Sequence, residues 1–105
     1  MERFRLWLME KQRNMVVKYF AYIRDYTGCR SAQEEYCPTV YELLHALSSR
    51  YGTAFRSKAL SEDGRELGRE IIVLVNGRHV EHLNGIHTKL QPSDVISIFP
   101  VVAGG

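Results

Sequence analysis

The sequence predicts an α+β fold, a mixed sheet of four to five strands packed on one main helix. Three stretches carry that prediction. Thr39–Tyr51 holds the clearest helix signal, Ile71–Val75 is an unbroken apolar run of strand length, and Val95–Phe99 is a strand-like run near the end of the chain. Strand-like segments lie on both sides of the helix, which suits one helix packed across a sheet better than alternating βαβ units. At 105 residues the chain has the length of one domain. A hydrophobic fraction of 45% and a charged fraction of 25% place it among ordinary globular proteins.

Residues 1–14 stand apart as an N-terminal extension ahead of a domain spanning 15–105. Phe4, Trp7 and Leu8 would share one face of a helix, and Phe4, Leu6 and Leu8 one face of a strand, so periodicity does not decide between them. Val16–Ile23 is rich in β-branched and aromatic residues and reads as the first strand. Thr27-Gly28 marks a turn, and Ser31–Cys37 reads as a more polar strand, the antiparallel partner of the first and nearer an edge. Thr39 and Glu42 have the spacing of a capping box, in which each side chain accepts from the other residue's backbone N–H. Val40, Leu43, Leu44, Leu47 and Tyr51 follow at helical spacing, and Gly52 supplies the stop.

Residues 53–70 form a charged connector in which Ala54, Phe55 and Leu60 suit one short helical piece before a turn at Glu62-Asp63-Gly64. The continuous apolar run Ile71–Val75 predicts a strand buried on both faces at the centre of the sheet. Asn76-Gly77 predicts a type I′ hairpin turn, and Val80 begins a short return strand that Asn84-Gly85 breaks. Leu90 packs ahead of a turn at Gln91-Pro92-Ser93-Asp94, and Val95–Phe99 is the last strand. Two hairpins thus embrace one helix, with the C-terminal strand beside the first: a β-grasp arrangement.

Several function classes find no support. The formal net charge is only +2, and the ten Arg and four Lys are spread along the chain, which argues against a nucleic-acid partner. The tyrosines and Phe20, mostly on the first strand and the helix, read as core aromatics rather than a base-stacking platform. No stretch approaches the ~18 apolar residues of a membrane span, and the first residues have too short an apolar core for a signal peptide. The expected location is therefore the cytoplasm, with Cys29 and Cys37 as reduced thiols. Strand alternation places His79 and Glu81 on one face and His82 on the other, so these residues and His87 predict no metal site. No nucleophile elbow, phosphate loop or informative carboxylate pair is present, and the chain alone is not expected to be an enzyme.

The C-terminal stretch is the exception. The strand Val95–Phe99 passes through Pro100, which cannot donate a ladder hydrogen bond and is expected to release the chain from the sheet. Val101, Val102 and Ala103 then lead to Gly104 and Gly105. A chance Gly-Gly end occurs in roughly 0.5% of chains, so its position directly after an apolar strand is what gives it weight. Two residues without a Cβ let another protein close tightly around the backbone. A carboxylate is a poor electrophile, but as an acyl-adenylate it acquires a leaving group that sulfide, thiol or amine can displace. That activation needs ATP and a separate enzyme.

The tail Ile98-Phe99-Pro100-Val101-Val102-Ala103-Gly104-Gly105 resembles the Phe-Pro-containing Gly-Gly ends of the MoaD proteins, the sulfur-carrier small subunits of molybdopterin synthase, in the MoaD/ThiS family. Phe20–Gly28, Pro38-Thr39-Val40, Val75–Arg78 and Leu90–Asp94 also match, so the likeness covers about residues 15–105. The resemblance implies a ubiquitin-like β-grasp fold and a cytoplasmic carrier with no permanently bound cofactor or metal. Gly105 would be adenylated with ATP by an E1-like activating enzyme and converted to a thiocarboxylate by a sulfur donor. The tail would then enter a MoaE-like large synthase subunit, delivering sulfur for molybdenum cofactor biosynthesis. Phe99, Pro100, Val101 and Val102 would line the docking surface, while Ala103 and Gly104 thread the channel. Two departures stand out: Val101 replaces a second proline found in many members, and Asp25 replaces a glutamate after Arg24. Sulfur carriers of thiamine synthesis share the Gly-Gly end but are generally shorter, lacking a counterpart of the 53–70 connector. Some relatives instead attach the same end to lysines as protein modifiers.

Overall fold

The structure is a computed structural model that describes residues 14–101 together with Arg3. The readings made for Phe4, Leu6, Trp7 and Leu8, and for Val102, Ala103, Gly104 and Gly105, lie outside the described residues. Five strands form one mixed sheet: β1 (Asn14–Tyr19), β2 (Ser31–Glu35), β3 (Ile71–Val75), β4 (Arg78–His79) and β5 (Val95–Pro100), in spatial order β2-β1-β5-β3-β4. Within residues 14–101, three helices accompany it: α1 (Ile23–Thr27), α2 (Val40–Tyr51) and α3 (Thr53–Ala59). β5 lies at the centre, parallel to β1 and antiparallel to β3. This is the predicted β-grasp, with the C-terminal strand beside the first.

Alternation builds the core. Met15, Val17 and Tyr19 of β1, Ile71, Val73 and Val75 of β3, and Ile96 and Ile98 of β5 are all buried on one side of the sheet. They meet the apolar stripe Val40, Leu43, Leu44 and Leu47 of α2, with Phe55 and Ala59 of α3 closing the same core. α2 starts where the sequence places it: the Thr39 hydroxyl accepts from the Glu42 N–H at 3.2 Å. Among the described residues the Glu42 carboxylate makes no return bond. Gly52, at φ +100°, ends α2 and begins α3 without a loop between them. The hairpin turn also follows the expectation, since type I′ needs positive φ twice and Asn76 and Gly77 stand at +50° and +83°.

Four expectations on element extent are corrected. β1 ends at Tyr19, not Ile23, because Phe20, Ala21 and Tyr22 offer their carbonyls to the N–H groups of Ile23, Arg24 and Asp25 and wind the chain into α1. Ala21 takes φ +50° at that corner, a conformation its sequence does not advertise. β2 ends at Glu35 rather than Cys37, where its partner β1 begins at Asn14. The return strand is Arg78–His79, ahead of Val80, which instead opens a 3-10 turn over Val80–His82. β3 is not buried on both faces. It lies one strand in from an edge, and Ile72 and Leu74 are only half-buried.

Candidate functional site

Among the described elements, no helix packs on the face of the sheet away from α2. Alternation puts Val16, Lys18 and Phe20 there from the β1 side, Val95, Ser97 and Phe99 from β5, and Ile72 and Leu74 from β3. The register aligns them into rows across the strands: Lys18, Ser97 and Leu74 pair in one, and Phe99 pairs with Ile72 in the next. Phe20 completes that second row. Its N–H donates to the Ile98 carbonyl at 3.0 Å, and its ring stacks on Phe99 with centroids 4.1 Å apart and planes within 10°.

Arg24 extends the stack. Its Nε donates to the Tyr19 carbonyl at 2.9 Å, and its guanidinium lies 5.8 Å from the centre of the Phe20 ring. α1 therefore supplies the cation and β5 the outer ring, with Phe20 held between them. Such a layered arrangement keeps two aromatic rings half-exposed in fixed positions, which a partner can meet without ordering them first.

The site's other component is the departure of β5. Pro100 was expected to release the chain, and here the structure corrects the sequence reading. Pro100 is buried and pairs with Ile71, and Val101 donates its N–H to the Glu70 carbonyl at 2.8 Å. Ladder donors alternate in direction along a strand, so the donor that Pro100 lacks would have pointed toward β1, which has already turned away after Phe20. The proline therefore costs no bond on the β3 side. Val101 is 42% exposed, the most exposed large apolar residue among those described. Gly105 follows four residues later, and an extended segment of that length spans at most roughly 14 Å.

Phe99, Pro100 and Val101 thus come together, though differently: Phe99 and Val101 lie toward the open face and the exit, while Pro100 faces the core. Phe20, assigned to the core from sequence, belongs to the open face. The alternation that buries Met15, Val17 and Tyr19 could have shown this. Arg24 was not singled out at all, because nothing in the sequence shows that the chain turns back at Ala21.

The remaining candidates do not converge on this region. His79 and His82 were placed on opposite faces by strand alternation. The 3-10 turn instead sets their rings edge to face, 5.9 Å apart, with His79 Nδ1 accepting from the Glu81 N–H at 3.0 Å. Among the described residues no three potential metal ligands cluster. Cys29 and Cys37 are both free thiols. Burial, reinforced by Glu42, Glu35 and Glu34, holds the Cys37 thiol above its ordinary range and so suppresses its thiolate. Among the described residues no helix is long and apolar enough to cross a membrane.

Comparison with known proteins agrees with this geometry. The ThiS family profile matches residues 17–105. The chain is 40% identical over 92 residues to small archaeal modifier protein 3 of Haloferax volcanii, covering 85% of this chain and 96% of that one. It superposes with a TM-score of 0.74 on the crystal structure of the Amycolatopsis orientalis BexX/CysO complex, at 29% identity, covering 87% of this chain and 99% of the matched one. A putative molybdopterin converting factor subunit 1 from Pyrococcus furiosus gives a TM-score of 0.65 at 26% identity, covering 85% of this chain and 98% of that one.

Proposed function

Since the chain belongs to the ThiS family of small ubiquitin-like carriers and modifiers, we propose that it is a sulfur carrier whose reactive group is the Gly105 carboxylate. The observation that carries this reading is the end of β5: the ladder closes at Val101, and only four residues lie beyond it. In the proposed sequence an E1-like enzyme binds the chain through the open face, and the carboxylate attacks the α-phosphate of ATP. Pyrophosphate leaves and an acyl-adenylate forms. Sulfide, or a persulfide with a reductant, then displaces AMP to leave a thiocarboxylate. ATP is a co-substrate of the partner, and this chain holds no resident cofactor in the proposal.

The stack of Arg24, Phe20 and Phe99 supplies orientation, and Gly104 and Gly105 supply slenderness. Delivery to a MoaE-like large subunit, for the dithiolene of the molybdenum cofactor, is the proposed destination; the Phe99-Pro100 tail and the likeness to a putative molybdopterin converting factor subunit support it. Intact-mass measurement tests the reading. With ATP, a sulfur source and the activating enzyme, the chain should gain about 16 Da as oxygen is exchanged for sulfur, and deletion of Gly105 should abolish the gain. A full-length chain that never gains this mass, alongside a carrier that does, refutes it.

A second reading is favoured by the 40% identity to a small archaeal modifier protein: the same acyl-adenylate, or a thioester formed from it, is captured by a lysine amine and yields an isopeptide. Conjugates that survive thiol treatment and carry a Gly-Gly remnant in host extracts support that reading, and their absence counts against it.

A further inference from the structure

The connector between α3 and β3 ends beside the chain's exit, and its path is tightly constrained. The Gly68 N–H donates to the Ala59 carbonyl at 2.9 Å, and a Cβ on residue 68 would lie 2.0 Å from the Lys58 carbonyl oxygen. Only glycine lets the backbone pass there. Leu60 and Leu67 bridge on the same side, with Leu60 buried. Two residues after Gly68 comes Glu70. Its carboxylate forms an ion pair with Lys58 of α3, while its carbonyl takes the Val101 N–H at 2.8 Å. The Lys58 ammonium is steadied from a second side by the Tyr22 ring, whose centre is 5.9 Å away. One residue of the connector therefore holds α3 with its side chain and the departing C-terminal strand with its backbone.

We propose that Lys58 and Glu70 are positioning residues for the C-terminal tail, forming a clasp that keeps the β3–β5 ladder closed through Val101. The proposal rests on the reading of Gly105 as the activated group. With the clasp closed, the tail has a fixed root at Val101, four residues before Gly105. With it open, Val101 and then Pro100 can peel away from β3, and the adenylating enzyme must order a longer segment on binding. The loss falls on recognition rather than chemistry, because the clasp acts on the Val101 backbone, four residues before Gly105, so KM should rise while kcat holds.

The test compares the full chain with Lys58→Met, Glu70→Gln and the charge-swapped Lys58→Glu/Glu70→Lys pair. Glu70→Gln keeps the backbone carbonyl that Val101 uses. Two readouts are taken: amide hydrogen exchange at Val101, and ATP–pyrophosphate exchange catalysed by the host's own activating enzyme. Each single variant should lose roughly 1.5- to 5-fold of Val101 protection, the scale of an exposed ion pair, with a KM increase of similar size and an unchanged kcat. The swapped pair should recover both. Unprotected Val101 in the parent chain overturns the clasp. So does unchanged exchange in the variants, an unchanged KM once protection is lost, or failure of the swap to restore either. A parent chain that is never adenylated, with Val101 protected, overturns the functional reading instead, and the positioning role with it.

Discussion

Ile98 and Phe99 are neighbours on β5, equally apolar, and face opposite environments. Ile98 is fully buried beneath α2, whereas Phe99 stacks on Phe20 in the open and is only half-covered. The same contrast runs through Tyr19 against Phe20 and Val73 against Ile72. Among the described residues the five-stranded sheet has one helical layer, and so one face that builds the core and one that does not. On that second face Phe20, Phe99, Ile72 and Leu74 gather beside Lys18 and Ser97, a larger apolar share than a purely solvated face needs. That apolar group lies beside Val101, where the described part of β5 ends.

The largest expected effect breaks this comparison at its strongest point. Ile98→Ala should cost about 2–5 kcal/mol of stability, the range for emptying a packed aliphatic site. Phe99→Ala should cost only about 1–2 kcal/mol, from half a ring's burial and one stacking contact. The ranking should reverse for function: Phe99→Ala loses affinity for the activating enzyme while remaining folded. Urea denaturation of both variants, paired with adenylation kinetics, checks the crossing. Equal stability losses would mean that the open face is part of the core after all.

Phe20→Ala sharpens the same contrast. It removes the middle layer between Arg24 and Phe99, leaving the guanidinium with no ring to lie on, and it should impair partner binding more than its stability loss of about 1–2 kcal/mol would suggest. The conservative Phe20→Leu should restore most of the stability but little of the binding, because a branched aliphatic cannot present a flat face. Equal recovery of both would reduce the stack to simple apolar area.

How much of this was legible in the residues follows from the kind of signal each region carries. α2 announces itself through Thr39, Glu42 and its apolar stripe, and β3–β4 through Asn76-Gly77, because local chemistry sets those geometries. The end of β1 did not, because Val16–Ile23 keeps its strand-like composition straight through a corner made by Ala21 at positive φ. The misplacement of Phe20 follows from that error. β3 was judged two-sided from its unbroken run of aliphatics, yet that run serves one buried face and one half-buried face rather than two buried ones. Pro100 was read correctly as lacking a donor, but which side of β5 that donor would face depends on where β1 turns away. The Gly-Gly end is visible in the sequence, whereas the root of the tail at Glu70 depends on a backbone approach at Gly68 that no local pattern encodes.

The smallest effect concerns a polar atom buried in the covered face. Tyr19 is fully buried, with its ring edge-on to Tyr51 and Phe55, and its hydroxyl lies near that of Tyr51 without the geometry of a formed hydrogen bond to it or to any other described residue. Burial, and secondarily the nearby Tyr51 hydroxyl, hold the phenol's pKa far above its ordinary value. The sign follows from linkage. Below about pH 10 the phenol is protonated in both folded and unfolded chains, so stability is undiminished. As pH rises past that point only the unfolded chain can release the proton, and stability falls. Tyr19→Phe removes both the orphan hydroxyl and this ionisation while keeping the ring contacts. It should raise stability at neutral pH by about 1 kcal/mol, since an unpaired buried hydroxyl costs roughly 1–3 kcal/mol. It should also flatten the decline above about pH 10. Thermal melts at pH 7 and pH 10.5 decide the matter: a variant less stable than the parent at neutral pH would mean that the hydroxyl is bonded within the core, and the covered face would then have no weak point.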